Sequence, residues 1–256
     1  MELELKGKVA MITGASRGIG RAIAATMAAE GARLSLCARG AEALEKAAAE
    51  LRAAGAEVLA HPADQTDPAA VGRWVKATVA KFGGVDILVN NAGASRQGGI
   101  FELADADWQA AFDLNFFAEA RLARLCAAEM ERRGGGAIIN IASIWGREAG
   151  GQPAYVASKA ALIAFTKMLA RELAPKAIRV NSIAPGSILY PGGAWERRFH
   201  ADPAFERDFI RNELPAGRLG RPEEVAYAVT MLASPRASWI TGASLVVDGA
   251  QSRSIL

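Results

Sequence analysis

Short unbroken apolar runs alternate along this chain with longer alanine-rich segments whose apolar positions recur every three to four residues. The runs at 9–13, 33–37, 57–61, 86–90, 137–141 and 178–183 predict six strands, and 245–247 a seventh. Continuous runs, as opposed to alternating ones, require cover on both faces of a sheet. Helices on either side of a parallel sheet supply that cover. The periodic segments at 18–29, 41–54, 67–82, 105–132, 153–173 and 222–232 predict helices. Glycines at 31, 55, 83–84 and 134–136, and Pro175, stop five of them. With neither a linker nor a repeat, this alternation predicts one α/β domain over residues 1–256, a doubly wound parallel sheet of about seven strands. Residues 185–215 lack a clear early period and are expected to form an irregular loop, with a lid over a pocket at about 187–215.

Composition narrows the class. The chain is 51% apolar and 22% charged, which excludes a disordered, collagenous or disulfide-rich protein. The net charge of +3 is spread along the chain without a basic block, so neither nucleic acid nor a membrane is an expected partner. Gly, Pro and Arg interrupt every apolar run before the ~18 residues of a membrane span, and residues 1–8 hold no signal-peptide core. Cys37, Cys126, His61 and His200 have no metal-ligand spacing. The expectation is a cytoplasmic protein with free thiols and no metal.

The first predicted strand runs into Thr13-Gly14-Ala15-Ser16-Arg17-Gly18-Ile19-Gly20 and then a helix. Glycines there let the backbone turn sharply and approach a pyrophosphate, and the helix start offers free amides and a positive dipole end. This places a dinucleotide site at the turn of a Rossmann-type domain. The spacing Gly-x-x-x-Gly-x-Gly resembles the short-chain dehydrogenase/reductase family. The resemblance extends through Asp64, Asn90-Asn91-Ala92-Gly93, Ser143, Tyr155-x-x-x-Lys159 and Pro185-Gly186 in that order. It implies cofactor contacts from Gly14, Ser16, Arg17, Gly18, Ile19 and Gly20, from Asp64 at the adenine, and from Asn91, Ala92, Gly93, Tyr155, Lys159, Pro185, Gly186 and Ile188. The second strand ends in Ala38-Arg39 instead of the acid that accepts hydrogen bonds from an NAD ribose. An acid would repel a 2′-phosphate, whereas Arg39, with Arg17 and Ser16, can donate to one. The expected cofactor is therefore NADP(H).

Tyr155 and Lys159 lie one helical turn apart, on one face. A nearby ammonium favours the phenolate, so Tyr155 can give a proton to a developing alkoxide or take one from an alcohol. Ser143, past the fifth strand, can hydrogen-bond the same oxygen. The resemblance implies that Lys159 holds the ribose and that Asn115 supports a proton-relay water beside it. Three positions depart from the family pattern. The Ser143–Tyr155 gap is one residue short, Tyr190 stands where a threonine is common, and Ala177 replaces a glycine.

The substrate is less legible. Ser95, Arg96, Gln97, Trp145, Gln152, Tyr190 and Trp195 are candidate wall residues, and Gly192-Gly193 a hinge. Trp195, Phe199 and Phe205 give the lid an apolar face, while Arg197, Arg198 and His200 form either a solvated helix face, the reading preferred, or a positive face that would suit an anionic substrate. Arg132, Arg133 and Arg171 would suit an acidic carrier protein, or act as ordinary helix-end cations. The reading is an NADPH-dependent reductase of a ketone, with a carrier-bound 3-oxoacyl thioester as one substrate class. The alternatives are a sugar, polyol or secondary-alcohol dehydrogenase working oxidatively and a non-catalytic dinucleotide-binding regulator. By the resemblance, a homotetramer is expected, with 105–132, 153–173 and the C-terminal 252–256 at its interfaces.

Overall fold

The apolar runs become strands because both of their faces are buried. In β1 (Val9–Thr13) Ala10 and Ile12 join one hydrophobic layer while Met11 joins the other. The computed structural model describes residues 2–255. After β1 the elements are α1 (Gly18–Ala29), β2 (Arg33–Ala38), α2 (Ala41–Ala53), β3 (Val58–Pro62), α3 (Pro68–Phe82) and β4 (Ile87–Asn90). Then follow α4 (Asp105–Phe112), α5 (Ala118–Arg132), β5 (Gly136–Ile141), α6 (Pro153–Leu173) and β6 (Ile178–Pro185). The last are α7 (Ala194–Ala201), α8 (Pro203–Glu213), α9 (Pro222–Ala233) and β7 (Ser244–Val247).

All seven strands are parallel, in the order β3-β2-β1-β4-β5-β6-β7. The chain leaves β1 in one direction and returns to its other side at β4. That switch opens a crevice at the strands' carboxyl ends, where ligands of such sheets bind. One layer of core packs Ile23, Met27, Leu34, Leu36, Val225 and Val229 against the sheet. The opposite layer packs Trp74, Leu88, Leu122, Ile138, Leu169 and Val180. Asp86 ties the bottom of the sheet together. Its Oδ2 accepts from Val9 N at 2.8 Å, and Arg133 donates to both its oxygens at 2.9 and 3.2 Å.

The helical segment 105–132 runs unbroken, but a π-type turn at Asp113–Phe117 joins α4 to α5 within it. Such a turn adds one residue per turn and swings Asn115 inward, where it is fully buried. Residues 185–215 are not irregular throughout, since they contain α7 and α8. Asp202 caps α8, accepting from Phe205 N at 3.0 Å, and Pro203 occupies its first turn. No helix among the described residues is long and apolar enough to cross a membrane, and none of their His, Cys, Asp and Glu side chains cluster as a metal site. Both cysteines are free and buried, and burial pushes the Cys37 thiol up to about 12.

Candidate active site

A cavity of about 640 Å³ lies in the crevice at the carboxyl end of the sheet. Its floor is the glycine turn between β1 and α1. Thr13 holds this turn against the segment after β4, its Oγ1 accepting from Asn91 N at 2.8 Å and Ala92 N at 2.9 Å. The Asn91 amide donates back to Thr13 O at 2.9 Å. A Cβ at Gly20 would stand 2.5 Å from both Asn91 Nδ2 and Gly14 O, so the turn closes this tightly only with glycine there. Gly18 takes φ +55°, and a Cβ on it would stand 2.8 Å from the Tyr190 ring. The first turn of α1 has no side-chain cap and no acidic residue, leaving its amides for an external anion.

Arg17, Ser16, Ile19, Arg39 and Asp64 line the same cavity. The Asp64 carboxyl is held below its ordinary range, first by the Thr66 amide and hydroxyl and also by Arg39. Arg17 donates to Gly192 O at 3.3 Å, joining the turn to the predicted lid. Gly93, Pro185, Gly186 and Ile188 complete the walls.

At the far end of the cavity stand Ser143, Tyr155 and Lys159. Ser143 leaves β5 in extended conformation and caps a 3-10 turn at Ile144–Gly146, its Oγ accepting from Trp145 N at 3.2 Å. Tyr155 and Lys159 occupy the first turns of α6, which starts at Pro153. Lys159 is 2% exposed and donates to Ile141 O at 2.7 Å and Glu119 Oε1 at 3.2 Å. Asn115 lies behind the cavity wall, its amide exchanging two 3.0 Å bonds with the Ala94 backbone and donating to Ser158 Oγ at 3.3 Å.

A family model described as enoyl-(acyl carrier protein) reductase matches residues 14–250. The 3-oxoacyl-[acyl-carrier-protein] reductase FabG of Escherichia coli (strain K12) is 40% identical over 248 residues, 96% of this chain and 98% of that protein. The L-sorbose reductase of Gluconobacter frateurii, solved with NADPH and L-sorbose, superposes with a TM-score of 0.95 at 39% identity over all of both chains. A 7 alpha-hydroxysteroid dehydrogenase, solved with NADH and 7-oxo glycochenodeoxycholic acid, gives 0.91 at 36% identity, covering 100% of this chain and 98% of its own. The chain belongs to the short-chain dehydrogenase/reductase family.

As a member of that family it is an oxidoreductase with several particular features. Tyr190, the departure expected to cost a contact, lays its ring over Gly18. Ala177 adopts φ +55°, a left-handed conformation costly for any residue with a Cβ, where a glycine would be relaxed. Ser95, Trp145, Gln152, Tyr190 and Trp195 all line the cavity. Gln152 is tied to the loop after β4, accepting from Gly98 N and donating to Gln97 Oε1, both at 3.0 Å.

Of the two readings of the lid's charges, the structure fits the solvated face. Arg197, Arg198 and His200 do not line the cavity; Tyr190, Ala194 and Trp195 do. Arg197 donates to Gly192 O, and the Arg198 guanidinium lies 3.7 Å from the Phe205 ring centroid. The lid's aromatics pack on themselves around Phe199, Leu214 and Leu219. Arg133 is committed to Asp86, whereas Arg132 stays exposed in a surface pair with Glu129.

Three residues of the site escaped the sequence reading. Gln251 accepts from Ser187 N at 2.7 Å and donates to its Oγ at 3.0 Å, bracing the 185–188 wall. Gln65 donates to Ala92 O and Leu114 O at 3.2 and 3.0 Å. Neither left a signal, since both are single polar residues in loops. Glu119 did leave one: it is an acid on the buried face of α5, beside Leu122 and Ala123.

Proposed function

We propose that this chain is an NADPH-dependent reductase that converts a ketone into a secondary alcohol. One observation carries the reading: a single cavity is lined at one end by the glycine turn with Arg17 and Arg39, and at the other by Ser143, Tyr155 and Lys159. The turn fits a dinucleotide, because a Cβ would fill the cradle at Gly20 and the amides of α1 stand uncapped. Ala38 ends β2 with no acid to repel a 2′-phosphate, and Arg17 and Arg39 sit on that side of the cavity. The relative solved with NADPH favours the same cofactor, and the strand end argues against the NADH of the steroid dehydrogenase.

When bound, the dinucleotide supplies the hydride. Ser143 hydrogen-bonds the substrate oxygen and fixes its direction. Tyr155 carries the proton that oxygen needs, and Lys159 stands one helical turn further along the same face of α6. Asn115 acts behind them, fastening the Ala94 segment to α6 through Ser158.

The lid, residues 187–215 of one domain that spans the chain, closes the substrate end with Tyr190 and Trp195. Since no lid cation lines this end, the substrate portion bound there is uncharged. A 3-oxoacyl thioester presents such a portion, and so does a keto sugar. Exposed Phe117, Leu125 and Met168 on one side, and Trp239 and Leu245 on another, support a homotetramer with two kinds of apolar interface. Ile255 is exposed near the expected C-terminal contact, whereas Leu256 lies outside the described residues. The free buried thiols support a cytoplasmic location.

The test is NADPH consumption with a 3-oxoacyl thioester, the matching enoyl thioester, L-sorbose and a 7-oxo steroid, for the parent and Tyr155→Phe. Turnover of one of the ketones, lost by at least about a thousandfold in the variant while NADPH still binds, is expected. A variant retaining near-parental rate would refute the role of Tyr155, and reduction of the enoyl thioester alone would refute the ketone. Light scattering at micromolar concentration checks the tetramer.

A further inference from the structure

The ammonium of Lys159 is anchored from the side away from the cavity. Of its three donors, one goes to Ile141 O at 2.7 Å and one to Glu119 Oε1 at 3.2 Å. One N–H is left for the cavity that Lys159 lines. Glu119 itself is completely buried, and its second oxygen, Oε2, has no hydrogen-bond partner. A buried carboxyl with only one filled oxygen costs stability. Nothing in the packing of α5 demands it, because Leu122, Ala123 and Cys126 fill the apolar layer without it.

We propose that Glu119 is a positioning residue of the reductase, one that orients the Lys159 ammonium and sets how much of its positive charge the Tyr155 phenol feels. This rests on the proton-donor reading of Tyr155 above. Glu119 lies behind the cavity wall that Lys159 lines, and both are almost wholly buried, so water screens the pair less than it would a surface pair. The anchor gives Lys159 a charged partner at 2% exposure.

Burial raises the Glu119 carboxyl to about 8 while Lys159 opposes that rise. Its negative charge is therefore lost on acidification through that range, and with it the charge that faces the Lys159 ammonium. Lys159 is the ionisable group that acts on Glu119. The neighbouring polar side chains are Asn90 of β4, whose amide donates to Glu119 O at 3.2 Å and to Asn140 Oδ1 of β5 at 2.9 Å, and Thr166 of α6 beyond them. None of these titrates. Packed on the same face, α3 presents Val71, Trp74 and Val75, and the Cys126 thiol further along α5 is kept protonated by burial.

The experiment reads the phenol directly. The chain has three tyrosines, so the ultraviolet tyrosinate titration of the protein minus that of Tyr155→Phe isolates Tyr155 without any substrate. The same difference is then taken in a Glu119→Gln background, which keeps an oxygen acceptor for Lys159 and removes the charge. The Tyr155 midpoint is expected to fall by on the order of one pH unit, the effect of one charge across a few side-chain lengths of protein interior. The pH profile of turnover should simplify from two coupled ionisations to one.

An unchanged midpoint in Glu119→Gln would overturn the role of Glu119 alone. A Tyr155 that titrates in the ordinary range in the parent would overturn the proton-donor reading instead. If Glu119→Gln does not fold, Glu119→Asp withdraws the carboxylate by one methylene. A smaller shift in the same direction is then expected, and no shift would overturn the proposal.

Discussion

Replacing Arg39 by aspartate should shift the cofactor preference from NADPH toward NADH. Arg39 follows Ala38 at the end of β2, is exposed, lines the dinucleotide end of the cavity and lies close enough to Asp64 to help lower its carboxyl. A charge-assisted bond contributes about 1.5–3 kcal/mol when well formed, and exposure and salt reduce this to about 1–2 kcal/mol here. Losing it weakens NADPH use by roughly 5–30-fold. The new carboxylate adds repulsion toward a 2′-phosphate, while toward NADH it offers an acceptor for ribose hydroxyls, a gain of about 1 kcal/mol or roughly fivefold. The ratio of kcat/KM for NADPH to that for NADH should therefore drop by about 30–150-fold, most steeply at low salt. Steady-state kinetics with both cofactors against one ketone measures it. A ratio within a factor of two of the parent's would mean that Arg39 is only a solvated surface residue and that Arg17 alone, or neither, reads the phosphate.

Two further substitutions test the backbone around the site. Gly20→Ala drives a methyl to 2.5 Å from Gly14 O and the Asn91 amide, and since a carbonyl in a tight turn cannot retreat, the turn must open. Dinucleotide affinity by fluorescence titration should fall at least about tenfold, with about 1–3 kcal/mol of stability lost; parental affinity would refute the cradle. Ala177→Gly relieves a left-handed alanine before β6, and the urea midpoint should rise by the equivalent of up to about 1 kcal/mol, the glycine's greater freedom in the unfolded chain offsetting part of the gain. A lower midpoint would show that the Ala177 side chain packs more usefully than its backbone strains.

The order of strands and helices was legible because unbroken apolar runs and alanine-rich periodic segments differ sharply along this chain. The glycine turn, Ser143, Tyr155 and Lys159 were legible because each sits at a fixed place relative to a strand end or a helix start. The direction the lid's charges face was not legible, for a physical reason. A run such as Trp195-Glu196-Arg197-Arg198-Phe199 states which groups are present but not which way a short helix faces, and here α7 turns its arginines from the cavity and its aromatics onto α8. Asp202-Pro203 did carry a helix start that the missing periodicity hid.

By itself, then, the sequence determined the sheet, the glycine turn and the side chains that meet in the cavity, because these follow from local pattern and short spacing. Tertiary structure alone decided which side chains meet across long separations. Glu119 reaches Lys159 forty residues on, and Gln251 braces Ser187 across 64. Such pairs depend on how α5, α6 and the C-terminal segment settle against one sheet. Whether an acid on α5 is a solvated charge or a buried partner of Lys159 is set by that packing, and no period or motif encodes it.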